Sequence, residues 1–71
     1  MTQKDKKIIE DGEAKGIPIF VLTAKDQLSL DTILDYYNRC KEAGCSEVHL
    51  KGVMQRASEF EDYEGEKKLP D

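Results

Sequence analysis

A cluster of polar side chains with ligand-binding chemistry follows directly on an apolar run in this 71-residue chain. Residues 17–22 read Ile-Pro-Ile-Phe-Val-Leu, and Thr23, Lys25, Asp26 and Gln27 come immediately after them. A lysine donates to anions, an aspartate accepts hydrogen bonds, and threonine and glutamine side chains do both. The same spacing is compatible with a strand exit at Lys25 and a helix cap at Asp26. The cluster therefore has two interpretations, a binding site or a local turn.

The side chains available suit binding better than catalysis. The sequence has a single histidine, His49, and it has no glycine-rich phosphate loop and no nucleophile paired with a base. Cys40 and Cys45 have a spacing that matches no zinc pattern. We therefore expect no enzymatic activity, no metal and no cofactor. We interpret Cys40 as a packing residue on a helix face, and His49 as a surface residue.

Charge and hydropathy restrict the class of partner. The formal net charge is −4, and acidic residues are concentrated between Glu59 and Glu66. Nucleic-acid polymers require a clustered basic face, so we expect none as a partner. The amino-terminal residues are polar and charged, and no apolar run approaches the roughly 20 residues of a membrane helix. These features predict a cytoplasmic protein without membrane contact.

Three regular elements are predicted from local patterns. The run Ile19 to Leu22 is rich in β-formers and predicts a strand that is apolar on both faces. Leu28–Ala43 has a helical apolar stripe, with Asp26 or Ser29 as its cap and Gly44 as its stop. Ser46 then begins a second amphipathic helix, whose stripe comprises Leu50, Val53, Met54, Ala57 and Phe60.

These elements predict an α+β fold: a short N-terminal strand followed by an antiparallel two-helix hairpin, joined through the short Gly44-Cys45 link. Residues 1–16 are predicted to be a mobile leader, residues 17–64 the single domain and residues 65–71 a tail. One strand leaves its backbone groups unpaired, and a chain this short buries little apolar surface. We therefore expect homo-oligomerisation, as a dimer or a tetramer, to complete the fold.

The stretch Pro-Ile-Phe-Val-Leu-Thr-Ala-Lys-Asp, residues 18–26, followed by a helix with Tyr36-Tyr37, resembles a group of small tailed-phage proteins. Those proteins commonly read Pro-Ile/Val-Phe-Val-Leu-Arg-Ala-Gln/Lys-Asp, so Thr23 stands where arginine is common. The group resembles the phage anti-CBASS sponges, which sequester cyclic nucleotide immune signals. The resemblance implies a homotetramer in the host cytoplasm whose composite pockets hold cyclic dinucleotides, or cyclic ADP-ribose signals, without hydrolysing them.

Such a ligand carries phosphates and flat bases, so its pocket needs cationic donors and aromatic platforms. Lys25, Arg39 and Arg56 are the candidate phosphate partners, and Thr23, Gln27 and Asp26 are candidates for a base edge or a ribose hydroxyl. The candidate platforms are Phe20, Tyr36, Tyr37 and Phe60.

Each assignment has a structural alternative. Phe20 and Tyr37 lie on packing stripes and are the expected core residues among the aromatics, which leaves Tyr36 as the better platform. Arg39 can pair with Asp35, and Arg56 with acids of its own helix. Two other functions remain open: an acidic phage inhibitor that binds a host protein through its helix surface or strand edge, and a small phage accessory or assembly factor.

Overall fold

The computed structural model describes residues 3–70, which form three α-helices: α1 (Gln3–Lys15), α2 (Ser29–Ala43) and α3 (Glu47–Asp62). Helices α2 and α3 pack against each other as an antiparallel hairpin. The residues between α1 and α2 have no regular helix or strand, and they carry the apolar run and the polar cluster. The fold of residues 3–70 is therefore all-α.

The predicted strand at Ile19 to Leu22 is wrong, and so is the α+β class. Within residues 3–70 the only β-type pairing is an isolated bridge between Asp26 and Lys68. The backbone of residues 19–22 makes no backbone–backbone hydrogen bond to any other described residue. A strand requires a neighbouring backbone to pair with, and β propensity reflects packing context more than an intrinsic preference. Here the apolar side chains pack beside helices instead of within a sheet.

Helix α1 occupies most of the segment that the sequence predicts to be a mobile leader. The carboxyl-terminal end of α1 is capped by the next two backbone N–H groups. The Gly16 N–H donates to the Glu13 carbonyl at 3.3 Å, and the Ile17 N–H donates to the Gly12 carbonyl at 2.8 Å. Gly12 is buried, and a Cβ atom added there would lie only 2.5 Å from Cδ1 of Ile19. The missing side chain of Gly12 thus admits Ile19 against α1. That residues 1–16 form a mobile leader stays a prediction.

The predicted hairpin is confirmed. Gly44 adopts φ 82°, its N–H donates to the Lys41 carbonyl at 3.2 Å, and the Cys45 N–H donates to the Cys40 carbonyl at 3.0 Å. These bonds form a Schellman motif that satisfies the last carbonyls of α2. Ser46 is the N-cap of α3, and its side chain accepts from the His49 N–H at 3.2 Å. Chain reversal between the helices is therefore fixed by two local caps.

The start of α2 differs in detail from the prediction. Leu28 holds the N-cap position without a side-chain hydrogen bond. Asp26 lies two residues earlier, where its Oδ1 accepts from the Leu28 N–H at 2.8 Å and its carbonyl accepts from the Ser29 hydroxyl at 2.7 Å. Asp26 and Ser29 thus stabilise the turn before the helix rather than cap it directly.

The residues after α3 return to this same turn. The Lys68 N–H donates to the Lys25 carbonyl and the Gln27 N–H donates to the Lys68 carbonyl, each at 2.9 Å. These two bonds attach the predicted tail to the polar cluster. The division of the chain into a domain that ends at residue 64 and a tail of residues 65–71 stays a prediction.

The core is thin. Among the described residues, the buried apolar side chains are Cys40 and Ala57, and the buried polar one is Ser29. The burial of Cys40 confirms its interpretation as a packing residue. No described helix has both the length and the apolar composition needed to cross a membrane.

Two glycines of the hairpin allow a matched test of the cap. Alanine at Gly44 must adopt a left-handed conformation and should lower the free energy of unfolding by about 1 kcal/mol. Alanine at Gly52, within α3, meets no atom within 4 Å and should raise it by up to about 1 kcal/mol. Urea unfolding followed by far-UV circular dichroism at one protein concentration measures both. Equal effects of the two substitutions would contradict the cap assignment.

Candidate functional site

A groove of about 620 Å³ runs between α1, the irregular segment and the α2–α3 hairpin. Each wall contributes apolar side chains: Ile8 and Ile9 from α1, Ile19 to Leu22 from the segment, and residues of both hairpin helices. The hairpin residues are Ile33, Tyr36, Val53, Arg56 and Phe60. Four of the eight predicted site residues therefore lie on one groove, namely Phe20, Thr23, Tyr36 and Arg56.

Arg56 is the cation of this groove, and two carboxylates neutralise it. Its guanidinium donates to Glu59 at 2.9 Å, one turn further along α3, and also to Asp5 of α1. The hydrogen bond that Arg56 donates to Glu59, together with the negative charge of Asp5, raises the pKa of Arg56 above its ordinary value despite partial desolvation. The pairing of Arg56 within its own helix is confirmed. The link to Asp5, 51 residues away in sequence, was not predicted.

Three aromatic rings line the groove: Phe60 is half-buried, whereas Phe20 and Tyr36 are exposed. The Phe20 side chain is 83% exposed, which contradicts its interpretation as a core residue. Tyr36 is 50% exposed, and its ring meets the His49 ring edge-on with centroids 6.0 Å apart. The Tyr36 hydroxyl lies 3.2 Å from Nε2 of His49. Tyr37 is half-buried and does not line the groove. Phe20 and Tyr36 are therefore the most accessible of the groove's rings to a flat ligand.

The polar cluster lies at one end of the groove, next to Thr23 and Ala24. Lys25 and Gln27 are exposed and bond through their backbones to Lys68. Lys67 reaches back along α3, and its Nζ donates to the Phe60 carbonyl at 3.4 Å. The backbones of Lys25 and Lys68 are thus paired next to the segment that lines the groove, and the Lys67 side chain reaches Phe60, a groove residue. Lys67 and Lys68 were missed because nothing in their local sequence indicates a site.

Arg39 lies away from this groove. It is exposed on α2 and forms an ion pair with Asp35 at 3.3 Å, one turn earlier on the helix. The predicted pairing of Arg39 with Asp35 is therefore confirmed. An exposed ion pair of this kind contributes only a few tenths of a kcal/mol to stability. Asp26 likewise has a local partner in the turn before α2, although its other oxygen can still accept a hydrogen bond.

The cysteines lie beside Tyr36 at the junction of α2 and α3. A hydrogen bond with Cys40, followed by desolvation and the nearby thiols, raises the pKa of the Tyr36 hydroxyl. Partial loss of hydration, followed by contact with Cys40, raises the pKa of the exposed Cys45 thiol. A thiol with a raised pKa forms less of the reactive thiolate at neutral pH. Cys45 is therefore a weak nucleophile in this arrangement.

Comparisons with known proteins add no assignment. No family model matches the sequence, and no curated protein or solved structure is similar enough to be identified as a relative. The residues described also hold no cluster of three or more histidine, cysteine, aspartate or glutamate side chains placed to share a metal ion. The chemistry of the groove must therefore be argued from its own side chains.

The combination of groups suits a ligand that is both flat and anionic. Apolar walls favour burial of an aromatic ring, exposed rings offer stacking surfaces, and cations lie at both Arg56 and the lysine end. The charge at Arg56 is already compensated by two carboxylates, whereas Lys25 and Lys68 form no ion pair among the contacts described, although Asp26 is their neighbour in the turn. Lys25 and Lys68 are therefore the cations more available to an anion.

The Tyr36 environment predicts a distinct alkaline titration. Because the native state favours the protonated phenol, the stabilisation it brings is present below the ordinary tyrosine pKa. It is lost as the pH rises from there through the raised pKa of Tyr36. Ultraviolet titration of tyrosinate should show a component above the ordinary pKa that disappears in Tyr36→Phe. A Tyr37→Phe variant is the control, and loss of the high component in that variant instead would contradict the assignment.

Proposed function

We propose that this chain binds cyclic nucleotide signals, such as cyclic dinucleotides, and sequesters them without hydrolysis in composite pockets of a homo-oligomer. In this proposal the chain is a phage immune-evasion protein. The observation that supports it best is the groove, which is lined by two accessible rings, Phe20 and Tyr36, and by Arg56, and is followed along the chain by the turn that pairs Lys25 with Lys68. A cyclic dinucleotide presents bases for the rings and phosphates for the cations.

Two-fold symmetry makes this small number of residues sufficient. A cyclic dinucleotide has two phosphates related by a two-fold axis, and a homodimer presents each of its side chains twice about such an axis. One Lys25 and one Arg56 per chain therefore become two of each. The residue resemblance that suggests this ligand covers the same segment, residues 18–26, that borders the groove.

The acidic surroundings set a condition on binding. A phosphate that contacts Arg56 must share the guanidinium with Asp5 and Glu59 or displace one of them. The net charge of −4 also slows the encounter with an anion. We therefore assign phosphate contact mainly to Lys25 and Lys68, and we assign Arg56 the role of positioning α1 beside the ligand.

A ligand-release experiment tests sequestration directly. The purified protein is incubated with a panel of cyclic dinucleotides and cyclic ADP-ribose isomers, freed of unbound nucleotide, heat-denatured and analysed by chromatography. We expect at least one nucleotide to raise the melting temperature and to be recovered intact after heating. Recovery of a cleaved product would show that the protein hydrolyses the nucleotide, and it would contradict sequestration. Absence of both binding and thermal shift across the panel would reject the proposal in favour of a protein-binding function.

Lysine substitutions test the assignment of the anion contacts. Lys25→Ala should weaken nucleotide affinity by about ten- to a hundredfold, because a charge-assisted hydrogen bond contributes on the order of 1.5–3 kcal/mol. Lys51→Ala is the matched control, since Lys51 is an exposed lysine of α3 that does not line the groove. Isothermal titration calorimetry with the nucleotide recovered above measures both. Equal affinities for Lys25→Ala and wild type would remove Lys25 from the site.

A further inference from the structure

The groove carries much of the exposed apolar surface of the chain. Several of its lining residues are large apolar or aromatic side chains that remain 40% or more exposed, namely Ile8, Ile19, Phe20, Val21 and Tyr36. Phe20 is the most exposed of all the large apolar residues described. Contiguous apolar surface of this kind on a small protein marks an interaction site.

The accessible surface area of the chain is larger than that of a compact monomer of the same mass. The chain exposes 6062 Å², whereas a compact monomer of 8.1 kDa exposes about 4,500 Å². Its radius of gyration is 13.3 Å, against about 11 Å for a compact chain of this length. The excess of about 1,500 Å² exceeds the roughly 800 Å² that each partner buries in a standard interface. One chain therefore has surface enough for a full interface.

We infer that this groove is closed by a second copy of the same chain, in a two-fold interface in which each Phe20 enters the groove of the other copy. The surface carries both a projecting apolar ring and an apolar depression, which is the self-complementarity that a two-fold interface requires. Phe20 of the partner subunit then lies beside Tyr36 and Arg56. The inference that this interface builds a nucleotide pocket rests on the proposed function. The interface itself is expected to form without nucleotide.

Sedimentation velocity of the wild-type chain without nucleotide tests the interface. We expect a dimer or a multiple of dimers at ten micromolar and above. Phe20→Asp should raise the dissociation constant at least tenfold, because a carboxylate would be buried in the apolar groove. Val48→Asp is the matched control: Val48 is as exposed as Phe20 but does not line the groove, and this variant should assemble as the wild type does. A wild-type monomer, or equal weakening by both variants, would overturn the inference.

Hydrogen exchange on the wild type gives a second measurement, which holds even if Phe20→Asp fails to fold. The backbone N–H groups of residues 19–22 have no backbone partner within the described chain, so in a monomer they should exchange fast. Raising the protein concentration from below to above the dissociation constant should slow exchange there and leave the residues around Val48 unchanged. No change at residues 19–22, or slowing confined to the Val48 region, would contradict the interface.

The outcomes separate this inference from the proposed function. Assembly through Phe20 with no nucleotide bound from the panel supports the interface and rejects sequestration. Nucleotide binding by a chain that stays monomeric rejects both the interface and the composite pocket, and it leaves sequestration standing only in a single-chain groove.

Discussion

The α2–α3 hairpin carries more apolar surface than two helices can bury against each other, and this surplus determines the course of the remaining chain. Among the residues described only Gly12, Ser29, Cys40 and Ala57 are buried, and all of these except Gly12 belong to the hairpin. Other apolar side chains of the hairpin, such as Ile33, Val53 and Phe60, face the groove instead. The irregular segment covers part of this surface, and α1 covers part of the segment.

Electrostatics around the groove follow the same layered arrangement. Arg56 joins α3 to α1 through Asp5, while the backbones of Lys25 and Lys68 join the irregular segment to the carboxyl-terminal residues. A partly exposed ion pair contributes at most about 1 kcal/mol, so Asp5 and Arg56 orient α1 rather than stabilise it strongly. Helix α1 is therefore the element whose position a ligand or a second copy can influence most easily.

The strand prediction failed for a reason that can be traced to its residues. Ile19, Phe20, Val21 and Leu22 have high β propensity, but propensity supplies no partner for the backbone. Within one chain the helices offer these residues apolar side chains and no unpaired backbone groups, because helical N–H and C=O groups are already bonded to each other. The apolar side chains of these residues therefore pack against helices, and their backbones form no sheet.

Helix α1 was missed because residues 3–15 are mostly charged and show only Ile8 and Ile9 as a short apolar stripe.

The sequence by itself determined the hairpin, because Gly44 and Ser46 act through hydrogen bonds to residues within five positions of themselves. It also determined which residue types were available for an anionic ligand, although not where they would meet. Only the tertiary structure decided that Asp5 neutralises Arg56, that Lys68 lies beside Lys25 and that Phe20 stays exposed. These contacts join residues far apart in the chain, so their existence depends on how the helices and the irregular segment pack, which no local pattern encodes.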